Sequence, residues 1–338
     1  MIEVKSLTKV FRKPIRGKGV LGMIKTLFSR KYEETRAVND VSFDIQEGEI
    51  VGYIGSNGAG KSTTIKMMCG ILTPTSGKVL IDGKEPYLKR RIVAKDIGVV
   101  FGQKTQLWWD IPLVESFKVL KEIYQVSDKD YQERMEFLSS VLNIDEFLTQ
   151  PVRTLSLGQR MRADLAASML HNPKILFLDE PTIGMDVLVK EKIRQAIHAL
   201  NAKYHTTVVL TTHDMEDIED LCSRIIMIEK GKIIYDGPIG NIKSRFGNIK
   251  TLTITVPPNT NLEEIEPLSE DVEMVVDDDG KVVLRFDADK VVLEEVVQYA
   301  FAKLHALDMK IADISIEDVV KTILSQEEDE KHGKAKKV

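Results

Sequence analysis

The chain has 338 residues, 43% hydrophobic and 29% charged, with 47 Lys and Arg against 52 Asp and Glu for a formal net charge of −5. That length and apolar content suffice for two domains with a core each, which excludes a disordered or fibrous chain. The small acidic excess gives no electrostatic footprint for nucleic acid, and Cys69 and Cys222, each in an apolar stretch, read as buried thiols of a reducing cytoplasm rather than a disulfide.

The first residues, Met1-Ile2-Glu3-Val4-Lys5, lack the basic-then-apolar layout of a signal peptide. No run approaches the roughly 18 apolar residues that span a bilayer, so a membrane role is expected only through a partner. Residues 2–5 and 41–46 alternate as half-buried strands do. Between them lies a basic insertion, 12–36, whose residues 12–31 carry seven Lys or Arg and no acid around Val20, Leu21, Met23 and Ile24. It reads either as a basic amphipathic helix at a membrane surface or as an extended solvated loop.

A mostly apolar strand over 49–54 delivers the chain into a glycine loop, followed by a helical pattern to Ile71. Further strand-like runs at 78–82, 97–101, 175–179, 207–211 and 225–229 alternate with helical segments, the pattern of an α/β sheet with crossover helices. From 111 to 171 the periodicity is helical throughout, clearest over 113–124 and 131–142, and predicts a helical subdomain of about 104–171 inserted into a domain 1–240.

After residues 237–247 the style changes. Strands are predicted at 251–256, 272–276 and 281–286, a helix at 291–307, a strand at 310–314 and a last helix to 324, a βαβ-like, small α+β accessory domain 247–325. Asp277-Asp278-Asp279-Gly280 reads as a hairpin turn rather than a cation site. The tail 326–338 is charged with little apolar content and reads as disordered. His171, His198, His205 and His305 show no metal-ligand spacing.

Three motifs carry chemistry. In Gly55-Ser56-Asn57-Gly58-Ala59-Gly60-Lys61-Ser62 the glycines let backbone N–H groups wrap a β-phosphate at a helix N-terminus. Lys61 would reach the β- and γ-phosphates of ATP, Ser62 would ligate Mg²⁺ and Thr63 would support the α-phosphate. In Ile175-Leu176-Phe177-Leu178-Asp179-Glu180 an acid closing a buried strand is costly unless a cation compensates it, so Asp179 is read as holding Mg²⁺. Glu180, one residue on, is placed to act as general base on water. The third motif, Leu155-Ser156-Leu157-Gly158-Gln159, is by itself compatible with a serine-capped helix start.

In this order and spacing, residues 1 to about 240 resemble the ATP-binding cassette family of transporter ATPases, which implies a P-loop α/β fold of ABC type. Leu155–Gln159 resembles the family's Leu-Ser-Gly-Gly-Gln signature with Leu157 for the first glycine. The resemblance implies that Ser156, Gly158 and Gln159 meet the γ-phosphate held by an opposite subunit. It also implies that His213 contacts the γ-phosphate and links it to Glu180, that Asp186 is a cross-dimer contact, and that Phe11 stacks on adenine. Gln103 resembles the glutamine that senses Mg²⁺ and reaches the membrane subunit. Gly102 departs from the commoner Val-Phe-Gln, and Gln106 remains the alternative. Trp108 and Trp109, side by side, do not both face a core in an extended segment, so one is read either as docking on a membrane-subunit helix or as core packing within the helical subdomain.

The resemblance implies an ATPase that dimerises on ATP, with itself or a related subunit, and powers a separate integral membrane permease from the cytoplasmic face of the membrane. Ile316-Glu317-Asp318-Val319-Val320 resembles the tail of bacterial exporters of the drug, sodium and antibiotic-resistance type, which implies export. The rival is a soluble ABC ATPase that remodels a ribosome or nucleic-acid complex.

Overall fold

The structure is a computed structural model and describes residues 1–14, 32–102, 104–241, 249–257, 260, 265, 267–276 and 280–313. The core of the basic insertion, Gln103, the acidic turn at 277–279, the motif at 316–320 and the tail 326–338 lie outside the described residues. The chain divides into two compact units, Met1–Gly237 and Pro238–Val338.

The first unit opens with β1 (Ile2–Pro14) and β2 (Tyr32–Ile45), paired antiparallel down to Pro14 opposite Tyr32. Residues 12–14 and 32–36, the two ends of the basic insertion, are therefore ladder, while residues 15–31 lie outside the described residues. Cross-strand charge holds this extension, with Arg12 Nε 2.9 Å from Glu34 Oε1. β3 (Ile50–Ile54) follows, then the glycine loop, α1 (Lys61–Met68) and β4 (Ser76–Ile81), which joins the first sheet in the order β2-β1-β4. After α2 (Arg90–Val93) comes β5 (Ile97–Phe101).

The helical subdomain contains α3 (Leu113–Tyr124), α4 (Asp128–Leu142) and α5 (Leu157–Met169). The helical periodicity over 111–171 is interrupted at Gln125 (φ 57°) and again between α4 and α5. There Asn143 turns into the left-handed region (φ 48°) and only short 3-10 turns, Asp145–Phe147 and Val152–Thr154, follow. Their apolar spacing, Ile144, Phe147 and Val152, mimics a helix because all three are buried.

The remaining elements of the unit are β6 (Ile175–Asp179), α6 (Val187–Tyr204), β7 (Thr207–Thr211), α7 (Met215–Leu221), β8 (Arg224–Glu229) and β9 (Lys232–Pro238), the last not anticipated from the sequence. They complete a six-stranded sheet of order β5-β6-β7-β3-β8-β9, parallel from β5 to β8. In β6, Ile175, Leu176, Phe177 and Leu178 are all at most 1% exposed, as a strand covered on both faces requires. Each contributes about 1.5–3 kcal/mol by leaving water. Both thiols are free, with Cys222 buried and Cys69 partly so.

In the second unit, β10 (Ile249–Thr255), β11 (Val272–Val276), β12 (Val282–Asp287) and β13 (Asp308–Asp313) form an antiparallel sheet of order β11-β12-β10-β13. β12 and β13 both run against β10, so α8 (Leu293–Ala302) makes a crossover that straddles a central strand. Leu252, Ile254, Val282, Leu284 and Phe286 of the sheet pack with Val296, Tyr299 and Ala300 of α8 and with Leu304.

A buried acid fastens the chain after β5 to α5. Asp164, 5% exposed, accepts from Thr105 Oγ1 at 2.9 Å and Gln106 N at 3.1 Å, and the Gln106 amide donates to the Asp164 carbonyl at 3.2 Å. Burial pushes the carboxyl up from 3.8 to about 6, against the pull of those hydrogen bonds and of Arg160. The folded state thus holds this proton more tightly than the unfolded chain, so stability falls as pH rises between 3.8 and about 6. In thermal melts over about pH 4 to 7, wild type should lose stability relative to Asp164→Asn across that window; parallel curves would contradict a raised Asp164.

Candidate functional site

The buried strand β3 leads into the glycine loop, and the loop opens a cleft of about 760 Å³ at the carboxyl ends of the parallel strands. Ser56, Asn57, Gly58, Gly60, Lys61, Ser62 and Thr63 line it, with Lys66, Lys104, Asp179, Glu180 and His213. Gly60 has φ 114°, and a Cβ there would stand 2.3 Å from the Ala37 carbonyl, so the turn into α1 admits no side chain. Ala59 instead sends its methyl into the core. The Lys61 ammonium lies on the carbonyls of Gly55 (2.6 Å) and Ser56 (3.1 Å). Burial lowers its pKa, against the carboxylates of Glu180, Asp179 and Glu229.

Asp179 ends β6 with its Oδ1 accepting from Thr211 Oγ1 at 2.6 Å and facing Ser62 Oγ at 3.3 Å. Among the described residues no cluster of three or more His, Cys, Asp or Glu converges to hold a metal. Ser62 and Asp179 are hard oxygen donors, and a pair of them suits Mg²⁺, which keeps waters and takes further oxygens from phosphates. The donor chemistry fits that ion.

Glu180 takes a left-handed backbone (φ 58°), held by a hydrogen bond from its N–H to the Thr211 carbonyl at 2.9 Å. Gly102 donates to the Asp179 carbonyl at 2.8 Å, and a Cβ at Gly102 would lie 2.2 Å from the Glu180 carbonyl. The glycine before Gln103 is thus the residue that lets β5 end against the turn at Glu180. His213 Nε2 is 3.0 Å from Glu180 Oε1. Burial raises the Glu180 carboxyl, opposed by His213 and Lys61 and reinforced by Asp179.

Other expected residues lie apart from this cleft. Ser156 caps α5 in a reciprocal box: its Oγ accepts from Gln159 N at 3.2 Å, and its N–H donates to Gln159 Oε1 at 2.9 Å. Gly158 abuts Val189, and Asp186 caps α6 by accepting from Val189 N at 3.0 Å. Ser156, Gly158, Gln159 and Asp186 do not line the cleft around their own Lys61. Phe11, on β1, is also outside that lining and 42% exposed, with Lys9 Nζ 5.3 Å from its ring. Gln106 is committed to Asp164, while Trp108 and Trp109 are 41% and 47% exposed, so neither is core.

Sequence reasoning missed Thr211 and Glu229. Glu229, 8% exposed, accepts from Ser56 Oγ at 2.6 Å and so fixes the glycine loop to β8. Its signal was present: Ile225-Ile226-Met227-Ile228-Glu229 repeats the apolar-run-then-acid pattern that singled out Asp179.

The sequence model of the family described as "ABC transporter" matches residues 38–183. The chain is 32% identical over 215 residues to the ABC transporter ATP-binding protein NatA of Bacillus subtilis (strain 168), covering 64% of this chain and 87% of that protein. It is 30% identical over 324 residues to the methionine import ATP-binding protein MetN 2 of Lactiplantibacillus plantarum, covering 93% and 87%. Among solved structures, the dimeric post-hydrolysis state of the ATP-binding cassette MJ0796 bound to ADP and Pi superposes with a TM-score of 0.59 at 27% identity, over 71% of this chain and 99% of that one. With a glycine loop, paired acids and a histidine assembled in one cleft, and relatives of this extent, the chain belongs to the ABC transporter family, among its ATP-binding subunits.

Proposed function

We propose that this chain binds ATP with Mg²⁺, hydrolyses it between two copies arranged head to tail, and drives a separate membrane permease from the cytoplasmic face. One observation carries the reading. Lys61, Ser62, Asp179, Glu180 and His213 meet in one cleft, while Ser156, Gly158 and Asp186 sit elsewhere on the same unit. A second copy that brings its Ser156 helix end to this cleft would complete a ring of donors around the γ-phosphate.

In this scheme the loop N–H groups and the Lys61 ammonium neutralise the β- and γ-phosphates, and Phe11 offers a π face to adenine. Mg²⁺, held by Ser62 and Asp179 with Gln103 as sensor, would supply charge neutralisation of the phosphate oxygens. Glu180 Oε1 accepts the proton of the attacking water, and His213, 3.0 Å from that oxygen, orients it and faces the γ-phosphate. Exposed Trp108 and Trp109 offer the permease an amphipathic contact.

The direction proposed is export, from the resemblance of residues 316–320 to exporter tails. The match to MetN 2 along 93% of the chain favours a second reading, uptake. ATP-driven flux in inverted vesicles holding the chain and its permease separates them: accumulation inside means export.

Glu180→Gln should lower kcat for ATP by about 10²–10⁴-fold while leaving an ATP-bound dimer that persists in size-exclusion chromatography. Unchanged turnover would remove Glu180 from the role of base. Because only the ionised carboxylate accepts a proton and burial raises its pKa, activity should disappear on acidification at a pH above the ordinary glutamate value of 4.5. A kcat/KM–pH profile, which reports the free enzyme, that stays flat down to 4.5 would contradict this.

A further inference from the structure

We infer that Asp217 is a positioning residue for the Glu180–His213 pair, because one buried carboxylate clamps together the two loops that carry the pair. The inference rests on the reading of Glu180 as the base. Asp217 lies in α7 and is 0% exposed. Its Oδ2 accepts from Thr182 Oγ1 and, at 3.1 Å, from Thr212 Oγ1. Thr182 stands two residues after Glu180, and Thr212 directly precedes His213. A single oxygen therefore ties the chain leaving the base to the chain entering the histidine.

The rest of the network keeps that oxygen in place. Asp217 Oδ1 accepts from Arg194 Nη1 of α6 at 3.2 Å, and this cation, its side chain 7% exposed, compensates a charge that could not be buried alone. Thr212 Oγ1 also accepts from Asp214 N at 2.9 Å, so the chain is fixed on both sides of His213. Thr182 and Thr212 are each 2% exposed, out of reach of substrate. None of these groups lines the cleft, so they act only through the residues they hold.

The clamp answers a local conflict. Glu180 sits at φ 58°, a conformation that a side chain bearing a Cβ rarely adopts and that persists where its surroundings over-determine it. On one side the Thr211 carbonyl and Gly102 fix its backbone; on the other, the Thr182 hydroxyl on Asp217 fixes the next turn. The same turn runs on to Asp186 at the start of α6, so the loop proposed to meet the second copy and the loop holding His213 share one anchor.

The test is steady-state ATPase of the full chain with MgATP for Thr182→Val, Thr212→Val, the double variant, and the serine replacements. Each valine variant should lose about tenfold or more in kcat with KM for ATP within about twofold, since misaligning the base affects the chemical step and not binding. Thr182→Ser and Thr212→Ser, which keep the hydroxyl, should restore kcat. The double variant should fall about no further than the worse single one, because both hydroxyls act through one oxygen. Either single variant that folds is decisive by itself. Unchanged kcat, a rise in KM with kcat intact, or multiplicative losses that track a lowered melting temperature would overturn the clamp. Glu180→Gln measured alongside separates the two ideas: if it retains turnover, the base assignment fails, whereas inactive Glu180→Gln with fully active valine variants sinks the clamp alone.

Discussion

Two carboxylates at the end of a buried apolar strand, facing one ammonium, set the terms for the first unit. Asp179 and Glu180 emerge where β6 leaves the sheet, and Lys61 from α1 lies close enough that Lys61 and Glu180 shift each other's proton affinity. Such a cluster is unfavourable in an apolar setting unless its charges are balanced and hydrogen-bonded. Thr211 supplies a donor to Asp179, His213 faces Glu180, and Glu229 holds the loop that carries Lys61 through Ser56. The three carboxylates that act on Lys61, those of Glu180, Asp179 and Glu229, outnumber its one ammonium.

A second set of buried acids sits one layer out and joins neighbouring segments to one another. Asp164 fastens the segment after β5 to the helix capped by Ser156, and Asp217 fastens the turn after Glu180 to the segment before His213. Neither acid touches the cleft. Each has a counter-charge or several donors within reach, which is the condition for keeping a carboxylate inside a folded unit. Such residues give loops discrete positions, and discrete positions are what a clamp that opens and closes requires.

What the sequence made legible follows from how local the signal is. The strands over 175–179 and 207–211 and the helix over 113–124 coincide with the observed elements, because a fully buried strand and a one-sided helix each carry a pattern within a few residues. The glycine loop and the acid pair were legible for the same reason. The hairpin extension to Pro14 and Tyr32 was not, because it depends on cross-strand pairs such as Arg12 with Glu34. Asp217 was missed because its partner Thr182 lies 35 residues away, where no local pattern reaches, whereas Glu229 closes a legible apolar run and only its partner, Ser56, 173 residues away, was hidden. The break after Asn143 was hidden by buried residues that keep a helical spacing without a helix.

In the proposed dimer the Lys61 cleft and the Ser156 helix end work together only across two chains. Mixing two inactive variants tests it most directly, one with Lys61→Ala and the other with Ser156→Arg. In a mixed dimer one interface collects both lesions and the other pairs an intact Lys61 with an intact Ser156. ATPase activity absent from either variant alone should appear on mixing, at up to about half the wild-type level per dimer for independent sites. If the mixture stays as inactive as its components, or if Ser156→Arg alone hydrolyses ATP as wild type does, the site is not shared between chains.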